Sequence, residues 1–192
     1  MLIAIKDDKE IKIGMTIKES YVNMEDADIF QKENIPYWTI KDKGICHIFA
    51  DTVSFSVDLL RYKEDIFKDI TDGMSIIKNV IPKIRKVLDE YLCYSGKNAW
   101  NNQLLIVKNK KMFLIDTNLI VIEVDNQITT DYEPYALGTL EEYKDLEKDK
   151  RIIMSYKIIE KMRNCKLFPI MLIDPKKEKI EYYNELGELY AI

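Results

Sequence analysis

One histidine, His47, stands in 192 residues, and that scarcity excludes every metal site built on two or more imidazoles. Cysteine is almost as scarce. Cys46, Cys93 and Cys165 form an odd set without Cys-x-x-Cys spacing, so neither a zinc pattern nor a disulfide framework is expected. A reducing, cytoplasmic setting fits them. The six glycines contain no Gly-x-Gly-x-x-Gly and no Gly-x-x-x-x-Gly-Lys, which removes the two commonest backbone cradles for nucleotide phosphates. No apolar run approaches the roughly 20 residues of a membrane helix; Phe168 to Ile173 is among the longest. The opening Met1-Leu2-Ile3-Ala4-Ile5 meets Lys6-Asp7-Asp8 too early for a secretory h-region. Neither a signal peptide nor a membrane partner is expected. Positive charge is not concentrated either: the net charge is -4, and Lys108 to Lys111 and Lys176 to Lys179 are short enough to be solvated hairpin turns. Nucleic acid is therefore not expected as a partner.

With 47% hydrophobic and 32% charged residues the composition is globular, and the length suits a single domain, residues 1–192, with one substantial core. No repeat, low-complexity tract or linker interrupts it. Strand signals open the chain at Leu2 to Lys6, Ile11 to Ile17, Tyr37 to Lys41 and Gly44 to Ala50, where β-branched and aromatic residues lie between charged turns. Asp7 to Glu10 and Lys41 to Gly44 are the expected hairpin connections, with Gly44 free to take positive φ. The acidic stretch from Ser20 to Asn34 reads as a surface excursion. A helix is expected around Ser54 to Lys68, with Phe55, Leu59, Tyr62 and Ile66 at helical spacing and Asp51, Thr52 or Ser54 as its N-cap. A second starts after Thr71-Asp72-Gly73. Its stripe of Ile77, Val80, Ile81, Ile84, Val87, Leu88 and Tyr91 is the strongest 3.6-residue period in the chain, and Pro82 inside it predicts a kink or a break. A meander over Gln103 to Val107, Lys111 to Asp116 and Leu119 to Val124 follows. The charged segment Glu141 to Lys150 then runs into a third helix, Arg151 to Met162, with Ile152, Ile153, Tyr156, Ile159 and Met162 on one face. Phe168 to Asp174 and Lys179 to Tyr183 make a last hairpin around Asp174-Pro175-Lys176-Lys177. Strands and helices that are grouped rather than alternating define an α+β fold with antiparallel sheets covered by helices.

Few residues offer chemistry. The alternation of its strand places His47 with Ile45 and Phe49, as a packed strand residue, and sends neighbouring Cys46 to the other face, so the two cannot pair as base and nucleophile. Cys93 and Cys165 fall near helix C-termini, where the dipole disfavours a thiolate. Asp116, Glu123 and Asp125 along the meander, and Asp26 and Asp28 in the excursion, are the carboxylates from which a Mg or Ca site could be built, although solvated turns explain them better. Trp38, Trp100 and the twelve tyrosines suit either sheet packing or a protein interface. No catalytic, cofactor-binding or metal-binding residue is assigned, and no cofactor is expected.

The order of four strands, two helices, three strands, a helix and two strands resembles that of the proteasome-type N-terminal nucleophile hydrolases. Three segments carry the likeness. Lys41 to Asp51 resembles the family's strand leading into its first long helix; Gln103 to Val107 with Met112 to Asp116 resembles the paired strands after its second; and Tyr135-Ala136-Leu137-Gly138-Thr139-Leu140 resembles the small-residue turn before its third. The resemblance implies a four-layer αββα sandwich, two antiparallel sheets with helices outside, and assembly into rings. It also implies a nucleophilic Thr, Ser or Cys opening the mature chain, with its own amine as base. Here that position is Met1 or Leu2, the family's acid falls at Thr16, its lysine at Pro36, its Ser turn at Thr139 followed by Leu140, and its later Asp near Asn164. The expectation is a noncatalytic protein of this fold that acts through protein contacts or self-association. The alternatives are an active peptidase or amidohydrolase exposing Thr16, Ser20, Thr39 or Cys46 by internal cleavage, and an unrelated α+β binding module.

Overall fold

The computed structural model describes residues 1–16, 36–41, 44–52, 54–92, 100–131, 133–184 and 186–190. The surface excursion of residues 20–34, with Ser20, Asp26 and Asp28, lies outside them, as do Ile17, Cys93 and the centre of the turn between Lys41 and Gly44. The chain divides into two compact units, Met1–Glu19 with Asp125–Ile192, and Ser20–Val124.

In the first unit a six-stranded antiparallel sheet runs β11-β10-β9-β2-β1-β8. Its strands are β1 (Leu2–Lys6), β2 (Ile11–Thr16), β8 (Gln127–Thr129), β9 (Ile170–Asp174), β10 (Lys179–Tyr183) and β11 (Leu189–Tyr190). The β1–β2 hairpin pairs Leu2 with Met15 and Lys6 with Ile11, and the turn between them is closed by Asp7, whose carboxylate accepts from the Lys9 and Glu10 N–H groups. In the second unit a five-stranded antiparallel sheet runs in chain order through β3 (Tyr37–Lys41), β4 (Ile45–Ala50), β5 (Leu104–Lys108), β6 (Lys111–Ile115) and β7 (Val121–Val124). Gly44, before β4, has φ of +102°, the conformation expected of that turn residue.

Strand alternation sorts each sheet's residues onto two faces. Ile3 and Ile5 of β1 join the core formed with helices α4 (Glu133–Glu142) and α5 (Lys148–Arg163), while Leu2 and Ala4, on the opposite face, are buried as well. In the second sheet Ile48, Leu104, Ile106 and Phe113 meet helices α1 (Phe55–Tyr62) and α3 (Ile81–Leu92), with Phe49, Leu105 and Leu114 buried on the other face. Burial on both faces explains why these strands read as continuous apolar runs. Ser54 caps α1, its Oγ accepting from the Val57 N–H at 3.3 Å.

Pro82 does not end its helix. A one-turn segment α2 (Gly73–Ser75), with a reciprocal Asp72–Ser75 capping box, leads into a π turn, Ile76–Val80, and then α3. The Ile81 N–H reaches back five residues to the Ile76 carbonyl, and this wider turn accommodates the pyrrolidine ring without ending the helix. A second difference falls at the expected small-residue turn. Tyr135 to Leu140 lies inside α4, which Glu133-Pro134 initiates, since proline is pre-organised for the first helical turn. Helix α4 is thus one more than expected, while the expected Arg151 to Met162 lies within α5, which ends at Asn164 in the left-handed region, φ 48°.

Gly138 sits exposed inside α4, and a β-carbon added there would meet nothing within 4 Å. Gly138→Ala is therefore expected to stabilise the protein by roughly 0.5–1 kcal/mol, because alanine gives up less backbone entropy on entering a helix. A melting temperature that falls would mean that this helix does not contain Gly138.

Candidate functional site

The head of β1 is the position where the resemblance calls for a nucleophile, and the structure builds a closed polar socket around it. The Met1 amine donates to Thr16 Oγ1 at 3.0 Å, and Asp131 Oδ2 lies 3.8 Å away. The Met1 carbonyl accepts from the Thr16 N–H at 3.1 Å and from the buried Tyr156 hydroxyl at 3.3 Å. Burial pushes the Tyr156 phenol well above its ordinary pKa, so it serves as a neutral donor. Thr130 fixes the next residue, its Oγ1 accepting from the Leu2 N–H at 3.0 Å while its own N–H donates to the Leu2 carbonyl at 3.1 Å. The Met1 side chain itself is buried in the core with Ile3, Ala136 and Tyr156.

Two of the positions read from the sequence meet here: Met1 and Thr16. The others do not. The Thr139 hydroxyl is spent within α4 on the Tyr135 carbonyl at 2.8 Å. Asn164 caps α5, and the Pro36 carbonyl accepts from the Ala50 N–H at 2.8 Å. Sequence reasoning missed Asp131, Thr130 and Tyr156. Tyr135 to Leu140 is helical and Thr130 and Asp131 come ahead of α4, and Asp131 brings a carboxylate to the amine although the end of β2 has none. The pair Glu133-Pro134 is the sequence signal that could have placed it.

In the socket the amine meets the Thr16 hydroxyl, and the side chain on the amine's own residue is a thioether. A thioether has no proton to give, and attack through its sulfur would leave a sulfonium that the adjacent amine cannot relieve. The candidate nucleophiles for internal cleavage are placed no better. Thr16 is buried at the end of β2 opposite Ile170, and Thr39 is paired with His47 in the middle of β3. Cys46 is buried, and desolvation, only partly opposed by Lys108, pushes its thiol up to about 12.

His47 is packed as expected, buried and stacked with Tyr37 and Phe49, with its Nδ1 3.0 Å from the Tyr37 hydroxyl. The meander carboxylates do not converge. Asp116 Oδ1 closes a turn on the Asn118 and Ile120 N–H groups, and Glu123 pairs with Lys111 at 3.1 Å. Among the described residues no three His, Cys, Asp or Glu side chains are gathered to hold a metal ion, and no helix is long and apolar enough to cross a membrane.

A second charged cluster closes the far end of the β1–β2 hairpin. Lys12 Nζ lies 3.2 Å from Asp174 Oδ2 and 3.6 Å from Asp149 Oδ2, and Lys148 Nζ bridges Asp7 at 2.5 Å and Glu10 at 3.4 Å. Burial works against the Lys12 ammonium, but Asp149, Asp174 and Glu10 outweigh it and raise its pKa. Asp149 is pushed up by burial that Lys12 only partly offsets. Asp174 is held down: burial alone would raise it, and the Lys177 N–H and the Lys12 ammonium more than compensate. Each cation is matched to carboxylates from neighbouring elements, which locks the hairpin to α5 and β9.

No family model and no curated protein matches the sequence. Solved structures do match. Anbu, an ancestral beta-subunit, from Yersinia bercovieri superposes with a TM-score of 0.67 at 11% identity, over 97% of this chain and 88% of its own. BPH of Thiobacillus denitrificans, in complex with epoxomicin, gives 0.63 at 14% identity over 90% of this chain and 96% of its own. The Anbu complex of Pseudomonas aeruginosa, solved as a helical assembly, gives 0.59 at 9% identity over 100% of this chain and 86% of its own. At such low identity the likeness shows the fold, and over nearly the whole length it is one fold: the chain has the α+β fold of the proteasome-type N-terminal nucleophile hydrolases, the class its order of elements resembled.

Proposed function

We propose that this chain is a proteasome-type protein without N-terminal nucleophile peptidase activity that works through protein contacts, self-association foremost. One observation carries the reading: at the head of β1 the residue whose amine is held by Thr16 and Asp131 has a thioether side chain, and the next is Leu2. The fold's catalytic unit needs a hydroxyl or thiol on the same residue as the amine, and neither residue has one. Self-association is favoured by the fold itself, since the Pseudomonas aeruginosa Anbu complex of that fold forms a helical assembly.

Intact and native mass spectrometry of the purified protein, with and without epoxomicin, tests both parts, alongside a panel of fluorogenic peptides. The expected result is an assembled chain that gains no mass from epoxomicin and releases no fluorophore. Turnover that disappears when Thr16, Thr39 or Cys46 is replaced would sink the noncatalytic part. A strictly monomeric protein would sink the other.

A further inference from the structure

Helix α3 carries an exposed stripe of two basic residues followed by two acidic ones. Arg85 and Lys86 lie towards its N-terminal half and Asp89 and Glu90 in its last turns, with no acidic residue in the first turn and no basic one in the last. The negative end of the helix dipole disfavours the anions of that last turn. The intrahelical pair Lys86–Glu90, at 3.8 Å, also has the less favourable orientation, lysine preceding glutamate. All four side chains are exposed.

The same ridge is flanked by two grooves within its unit. One is floored by Ile77, Ile81, Pro82 and Leu119; the other, towards α1, by Ile66 and Val87 with Tyr62 at its lip. Tyr62 is 85% exposed and Ile77 47% exposed, so large apolar side chains stand uncovered on both sides of the charged ridge. Tyrosine in that position is the residue type that dominates binding energy at protein interfaces.

Resting on the self-association reading above, we propose that this ridge is the contact surface for a second copy of the chain, docked antiparallel about a two-fold axis. Antiparallel docking sets Arg85 and Lys86 of each copy opposite Asp89 and Glu90 of the other, and opposes the two helix dipoles as well; parallel docking would set like charge on like. A self-complementary order, two basic then two acidic residues on one stripe, matches an isologous contact, in which the same patch serves both partners. The charges fix orientation and exclude wrong pairings, while burial of Tyr62 and Ile77 supplies the affinity.

A charge-swap series read by native mass spectrometry and sedimentation tests this. Arg85→Glu with Lys86→Glu makes the stripe wholly acidic; Asp89→Lys with Glu90→Lys makes it wholly basic. Each is expected to weaken self-association roughly tenfold or more. Mixing the two variants in equal amounts should restore it, because acidic and basic stripes then face each other. Tyr62→Ala should weaken it with both charge pairs intact. Circular dichroism melting, lowered only slightly in the charge variants by their new like-charge pairs four residues apart, separates a lost contact from a lost fold. Variants that assemble like the wild-type chain would overturn this surface and leave self-association standing. A wild-type chain that never associates would overturn both.

Discussion

Gly14→Ala is expected to cost about 3 kcal/mol of folding stability, which for a chain of this size lowers the melting temperature by roughly 9 °C. Gly14 sits in β2 under helix α5, where the sheet and the helix meet most closely. A β-carbon there would fall 2.3 Å from Ile152 Cγ2, 2.9 Å from Tyr156 Cε2 and 3.3 Å from Leu172 Cδ2. The first two are far inside contact distance, and both side chains are themselves fully buried, so neither can swing aside. Relief requires α5 to rise from the sheet, which draws the Tyr156 hydroxyl away from the Met1 carbonyl and loosens the socket around the amine. Chemical or thermal unfolding of the variant measures the cost, and Gly138→Ala, in a helix of the same unit, is the control with the opposite sign. A loss below about 0.5 kcal/mol, the scale of an ordinary surface substitution, would mean that α5 does not lie on Gly14.

The sequence was legible where local chemistry and tertiary burial agree. β1, β3 and β10 lie where their apolar runs and charged turns put them, and the Thr71-Asp72-Gly73 start signal became the Asp72–Ser75 capping box. It was least legible where an element exists because of its neighbour. β8 and β11, three and two residues long, carry no period of their own and become strands by pairing with β1 and β10. Gly138 misled in the other direction, since a lone glycine reads as a turn although Glu133-Pro134 had already begun a helix around it. The site divides the same way. Met1 and Thr16 were readable because they close the two ends of one hairpin, so strand register alone brings them together. Asp131 comes from 115 residues beyond Thr16, and Tyr156 reads as one more apolar position on the face of its helix; only the folded chain reveals that its hydroxyl points to the Met1 carbonyl.

Lys12→Met should be nearly as damaging at neutral pH as Gly14→Ala, for a reason that pH can expose. Alternation along β2 puts Lys12 on the face that Gly14 turns to α5, and its side chain is only 11% exposed because the start of α5 and the end of β9 cover it. There it faces Asp174, 3% exposed, and Asp149. Methionine preserves the length and the apolar stem, so the variant removes mainly the charge and leaves a buried carboxylate without its nearest cation, at a cost of about 3 kcal/mol. The sign with pH follows from the direction of each shift. Asp174, held below its ordinary 3.8, contributes stability that is present above that value and is lost as pH falls through its folded pKa. Lys12, raised above 10.5, contributes stability that is full below that value and is lost as pH rises through its folded pKa. Asp149, raised by burial, is relieved by protonation on the acid side, and more so once Lys12 is gone. The gap between wild type and variant is therefore widest across the neutral range and closes towards both extremes, as the carboxylates protonate or the lysine would have lost its proton. Urea unfolding of both proteins at neutral pH and at acidic pH stepped below 3.8, where the Asp174 contribution is lost, tests it. A gap that holds constant between the two would assign the loss to packing of the lysine stem rather than to the ion triad.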